Sequence, residues 1–239
     1  RIPLVIDRGE GVRVWGKDGK EYLDFISGIG VNAIGHCHPE VVAAINYQTK
    51  KLFHCSNLYY IELEAKLAKA LCDISFADKV FFSNSGTEAI EASLKFARKY
   101  GRAKFGEGKT KLVAFSNGFH GRTFGALSIT AREKYQAPFK PLVPGVEIVP
   151  FNDIAAAQQA IDDSTCAVIV EVVQGEGGVN LAAREFLQAL RTSCTQHSAL
   201  LIVDEIQTGF GRTGKLWAHQ HFDIQPDMMT LAKALGGGL

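Results

Sequence analysis

The pattern of apolar and polar positions changes period along this chain. Val12-Arg13-Val14-Trp15, a turn at Asp18-Gly19, and Tyr22-Leu23-Asp24-Phe25 read as a small hairpin over residues 11–25. From Pro39 onward, Val41, Ile45, Gln48 and Leu52 fall on one helical face. Leu63, Leu67, Ala70, Leu71 and Ile74 repeat that spacing. Short apolar runs then alternate with helical patterns. Val80-Phe81-Phe82 is followed by a helix from Gly86 to about Tyr100, and Leu112 to Phe115 is the next strand. Val146 to Val149 comes next, with Asp153 placed to cap the following helix. Ala167 to Val170 precedes a helix near 184–197, and Leu200 to Val203 and Met228 to Ala232 complete the series. Strands interleaved with amphipathic helices predict an α/β fold, a mostly parallel sheet with helices on both faces.

Composition narrows the class without deciding it. The chain has 239 residues with 46% hydrophobic and 21% charged residues, ordinary for a globular protein. A formal net charge of +1 favours neither nucleic acid nor an anionic membrane as a partner. Five cysteines with no C-x-x-C argue against a disulfide framework and for a reducing compartment. The chain opens on Arg1 and stops six residues after Lys233, directly past Gly236-Gly237-Gly238, so it is expected to be part of a longer sequence.

The candidate chemistry lies just after the strands. Ser83-Asn84-Ser85-Gly86-Thr87-Glu88 joins a strand to a helix, where small residues, hydroxyls and free N–H groups suit an anion. Taken alone it is more often an ordinary helix cap. Asn117 to Thr123 offers Phe119 to stack on a planar ring and Arg122 to grip a carboxylate; the plain alternatives are a core ring and a surface charge. Glu171-Val172-Val173-Gln174-Gly175-Glu176-Gly177-Gly178 packs acids and an amide among glycines, which suits a crowded polar site better than a core.

Asp204 closes the Leu200–Val203 run, 29 positions before Lys233. A buried aspartate needs a partner, and a protonated ring nitrogen supplies one. A lysine at a neighbouring strand end can form a Schiff base with an aldehyde cofactor. A metal is the rival, since His219-x-His221 and His36-x-His38 are present, but no H-E-x-x-H or finger spacing occurs. Surface or capping roles are expected for most of the seven histidines. Ligands of open α/β sheets bind beyond the carboxyl ends of strands, so one crevice can collect all of these groups.

Together these segments resemble the class III (fold type I) PLP-dependent aminotransferases, over Gly11 to Leu239. The most specific stretch is Asp204 to Gly209 with Gly211-Arg212-Thr213-Gly214, Pro226-Asp227 and Thr230-Leu231-Ala232-Lys233. Gly30 to His36, Ser56 to Tyr60 and Phe119 to Leu127 look most like the acetylornithine aminotransferases of that class. Val172 stands where the family usually has proline, and Ile90 where asparagine or valine is usual.

The resemblance implies pyridoxal 5'-phosphate as cofactor and no metal. Lys233 would attach it, Asp204 would pair with the ring nitrogen, Gln207 would sit near the ring hydroxyl, and Phe119 would stack on the ring. Ser85, Gly86 and Thr87 would hold the phosphate, and Arg122, Glu176, Tyr59 and Asn32 would meet the substrate. It implies residues 1–55 as an N-terminal segment, 56–239 as the cofactor-binding large domain, and a homodimer. The implied reaction moves the terminal amino group of N2-acetyl-L-ornithine to 2-oxoglutarate, in arginine biosynthesis. Ornithine, succinylornithine or GABA transamination, or a non-catalytic interaction protein on the same fold, are the alternatives. The implied compartment is the cytoplasm, or the mitochondrial or plastid matrix in a eukaryote.

Overall fold

The N-terminal alternation folds as a three-stranded antiparallel sheet in the computed structural model, which describes residues 2–239. Its strands are β1 (Ile6–Glu10), β2 (Arg13–Gly16) and β3 (Glu21–Leu23). The expected hairpin is β2 and β3, with Val14 opposite Tyr22. β1 carries no period-two apolar face, so the pattern does not announce it. Backbone pairing with β2 and the Arg8 guanidinium 3.6 Å over the Trp15 ring place it. The two expected helices run Pro39–Gln48 and Glu62–Asp73. Leu52 falls past the end of the first and Ile74 is the C-cap of the second. These elements, up to Lys79 and with Lys233–Leu239, form one compact unit; Val80–Ala232 forms the other.

The second unit is built on five parallel strands: β4 (Lys111–Phe115), β5 (Val146–Val149), β6 (Thr165–Val170), β9 (Leu200–Asp204) and β10 (Met228–Thr230). Their order is β10-β9-β6-β4-β5. A two-stranded ribbon, β7 (Val173–Gln174) and β8 (Asn180–Leu181), follows β6. The side-chain period of two sorts each strand between two cores. Val113, Phe115, Val168, Val170, Leu201 and Val203 face the helices Ile154–Ala160 and Arg184–Gln196. Leu112, Ala114, Ala167, Ile169 and Ile202 face the helices Gly86–Phe105 and Phe124–Ile129. All six residues of β6 are buried, as a central parallel strand covered on both faces requires. Each fully buried Leu, Ile or Val contributes about 1.5–3 kcal/mol.

One strand expectation fails. Val80-Phe81-Phe82 is not in a strand, because an apolar run becomes a strand only by pairing. No strand among the described residues pairs with it. Phe81 is instead largely exposed and meets Phe96 edge-on, ring centres 5.3 Å apart. Among the described residues no helix is long and apolar enough to cross a membrane.

Candidate active site

Every strand that feeds the site does so at its carboxyl end. β9 stops at Asp204, opposite Thr230 of β10, while Val203 lies opposite Val170 of β6. Asp204 is buried, and a carboxylate there is tolerated only if its oxygens are satisfied. Oδ1 accepts from the Ile206 N–H at 3.0 Å and the Thr230 hydroxyl at 3.2 Å. Oδ2 lies 2.8 Å from His120 Nδ1. His120 is buried as well and donates its backbone N–H to Thr130 Oγ1 at 2.9 Å. Burial works against charging this imidazole. The hydrogen bond to Asp204 and the negative charge of Glu171 outweigh burial, and its pKa stands above the ordinary histidine value.

Glu171 closes this cluster from the end of β6. Its carboxylate accepts the Phe119 N–H at 2.9 Å. Burial pushes the carboxyl up to about 7 against the pull of the His120 imidazole, and the charge of Asp204 adds to the rise. One loop, 116–123, is thereby tied to the ends of two strands: Phe119 through its backbone to Glu171, and His120 through its ring to Asp204.

The same loop meets the start of the Gly86–Phe105 helix. Ser85 caps that helix, its hydroxyl oxygen accepting from the Glu88 N–H at 3.3 Å. Thr87 and Thr123 hydroxyls are 2.9 Å apart. Gly121 makes the approach possible: its φ is 128°, and a Cβ there would lie 2.7 Å from Thr87 Cβ. A Cβ on Gly86 would meet Ile206 Cδ1 at 3.0 Å and Ala232 Cβ at 3.2 Å. The helix N-terminus, the Asp204–Gln207 turn and the residue before Lys233 therefore converge. Gln207 is half-buried and fills the space beside Gly175, where a Cβ would overlap its Oε1. Glu176, next to it, is exposed.

Arg122 is exposed and stacks on Tyr135, with Cζ 3.6 Å from the ring centre. It stands 5.7 Å from the centre of the half-buried Phe119 ring. Three expected site residues belong to the other unit. Lys233 follows Ala232 in the chain and opens the 3-10 turn Lys233–Leu235 with φ 43°. Asn32 lies 3.5 Å from His36 Nδ1 through its side-chain nitrogen, and Tyr59 is exposed.

Sequence reasoning passed over several members. His120 and His219 are buried partners of acids, not surface groups. His219 meets Glu205 through its backbone N–H at 2.9 Å and its Nδ1 at 3.0 Å, and the Thr208 hydroxyl donates to the other Glu205 oxygen at 2.6 Å. This pairing holds the Glu205 carboxyl below its ordinary range despite the opposing effect of burial. A histidine directly after a candidate stacking ring was the one available hint for His120. Nothing in the local pattern marks Tyr135.

The donor set suits a flat, protonated pyridine carrying a phosphate. It offers a buried carboxylate, an aromatic face, a helix N-terminus with two hydroxyls, and an amide beside a glycine that leaves it room. Residues 1–239 match the family model Aminotransferase class-III. The chain is 51% identical over 238 residues to the acetylornithine aminotransferase of Caldanaerobacter subterraneus subsp. tengcongensis, covering 100% of this chain and 61% of that one. It is 53% identical over 236 residues to the succinylornithine transaminase of Citrobacter koseri, covering 99% and 58%. The N-acetylornithine aminotransferase of Stenotrophomonas maltophilia superposes with a TM-score of 0.87 at 40% identity, over 100% of this chain and 60% of that one. The ornithine aminotransferase of Toxoplasma gondii gives 0.95 at 36% identity, over 100% and 57%. This chain thus spans about 60% of the length of the curated relatives it matches. It has the α/β architecture of the fold type I enzymes, and it belongs to the class-III aminotransferases, a PLP-dependent family.

Proposed function

We propose that the protein is a transaminase that moves the terminal amino group of N2-acetyl-L-ornithine to 2-oxoglutarate, giving N-acetyl-L-glutamate 5-semialdehyde and L-glutamate. The carrying observation is the run of acetylornithine aminotransferases that match this chain at 50–52% identity along its whole length. Bound pyridoxal phosphate supplies the electron sink that carbon–hydrogen cleavage requires. Asp204 keeps a proton on the ring nitrogen. Ser85, Gly86 and Thr87 hold the phosphate, Phe119 orients the ring by stacking, and Gln207 holds its hydroxyl. Lys233 would be the attachment point; once the donor amine displaced it, its freed Nζ would take the proton from the donor carbon and return it at the other end of the conjugated system. Placement of that base beside the reacting carbon is worth roughly 7–11 kcal/mol. Arg122 grips a substrate carboxylate, and Glu176, Tyr59 and Asn32 shape the rest of the substrate site. Residues 1–55 serve as an N-terminal segment and 56–239 as the cofactor-binding part.

The likeness to a succinylornithine transaminase supports a second reading, in which the acyl group on the donor differs. Ornithine and GABA are donors on the same chemistry. A homodimer belongs to this reading by likeness to the class, and five free cysteines accord with a cytoplasmic or matrix compartment. The test is a donor panel on the full-length protein: acetylornithine, succinylornithine, ornithine and GABA, each with 2-oxoglutarate. Acetylornithine should give the highest kcat/KM. No turnover with any donor would leave only an interaction protein. Lys233→Ala should abolish the borohydride-reducible chromophore; its persistence would exclude Lys233 as the attachment point.

A further inference from the structure

We propose that Tyr135 is a positioning residue for carboxylate recognition: its ring, set edge-on to Phe119, holds the Arg122 guanidinium in place at the mouth of the site. The inference rests on the reading of Arg122 as the carboxylate-binding group. Arginine carries a long side chain, and at an exposed position it spends binding energy on ordering itself. Here the ordering is built in. Arg122 Cζ stands 3.6 Å from the Tyr135 ring centre and 5.7 Å from that of Phe119, in the angle between two rings whose centres are 6.3 Å apart and whose planes cross at 80°.

The platform is itself anchored. Tyr135 lies in the short turn Glu133–Gln136. The Gln136 side chain donates to Leu127 O at 3.0 Å and Ser128 O at 3.4 Å, pinning the turn to the buried helix Phe124–Ile129. A guanidinium held over a ring by its face keeps its in-plane N–H groups available, the geometry that suits a planar carboxylate. Two further cations border the same ring: Lys134 Nζ at 4.9 Å and Arg132 Cζ at 5.7 Å. The adjacent acid, Glu133, is paired with Lys140 at 2.8 Å. The field at this ring is therefore positive and attracts an anionic substrate.

Glutarate, a dicarboxylate that cannot react, is the probe. Its dissociation constant for the full-length holoenzyme is measured by calorimetry, and KM and kcat for 2-oxoglutarate are measured alongside. Tyr135→Leu should weaken glutarate by about two- to thirtyfold, and raise KM by a similar factor with kcat little changed. Tyr135→Phe, which keeps the ring, should bind within about twofold of wild type. In an Arg122→Ala background, Tyr135→Leu should cost nothing more. Normal glutarate binding by Tyr135→Leu, or an equal loss with and without Arg122, would overturn the proposal. Normal binding by Arg122→Ala would overturn the Arg122 reading and this inference with it. If Tyr135→Leu does not fold, Arg122→Lys keeps the charge and removes the stacking plane. It must then bind glutarate more weakly, and unchanged binding would refute the role.

Discussion

His120 Nδ1 lies 2.8 Å from Asp204 Oδ2, and neither residue is more than 5% exposed. The candidate acid of the site is thus held by a second buried side chain. Removing that partner without a substitute leaves a buried carboxylate short of a donor. His120→Leu should cost about 3–5 kcal/mol of stability. His120→Gln, whose amide can still donate, should cost less. Urea unfolding of the cofactor-free protein measures both, and equal losses would show that the hydrogen bond contributes little.

Glu171 gives the stability a pH dependence of unusual sign. Its folded pKa, about 7, exceeds the ordinary 4.5. Between those values the folded state holds a proton that the unfolded state has released. Stability from this group therefore falls as pH rises from 4.5 through 7. His120, also raised, adds a loss in the same direction once pH passes its unfolded value. Glu205, lowered, works the other way and loses its contribution as pH falls. Glu171→Gln keeps an acceptor for the Phe119 N–H and abolishes the titration. The difference in unfolding free energy between mutant and wild type should grow from pH 4.5 to 7 and then level off. A flat difference would contradict a raised Glu171.

Gly121 sets the distance between the phosphate-binding candidate and the loop that carries Phe119 and His120. Its φ of 128° is closed to side chains, and a Cβ would press on Thr87 Cβ at 2.7 Å. Gly121→Ala should lower stability by about 1–3 kcal/mol and push Thr87 away from Thr123. Faster loss of cofactor on dialysis is the expected companion effect, read against Gly211→Ala. That control position has a φ of 82° and nothing within 4 Å of an added Cβ. Equal behaviour of the two mutants would mean that backbone strain alone acts and the Thr87 contact is irrelevant.

Much of the architecture was legible because it rests on local periodicity. Each apolar run from Leu112 onward became a strand near its expected place, and Asp153 caps its helix as its position suggested. Val80–Phe82 misled because its pattern is that of a strand while strand identity depends on a neighbour. Ile6–Glu10 escaped notice for the converse reason: a neighbour makes it a strand without any apolar period. At the site, the groups that stand at strand ends were readable from order alone, among them Asp204 and Phe119. Tyr135 was not, because it reaches Arg122 across a gap of 13 residues through a turn that no periodicity marks.

The sequence by itself determined the class of fold, since short apolar runs, helix starts and glycine-rich joints are written in neighbouring residues, and it pointed to the family through the likeness of its motifs. Only the tertiary structure decided who satisfies whom. That Asp204 is met by His120, that Glu171 holds Phe119, and that Arg122 rests on Tyr135 depend on separations of 84, 52 and 13 residues. Burial is the physical reason for the first two. Once the sheet removes water, each polar group must find a partner wherever the fold brings one, and local spacing carries no record of that meeting.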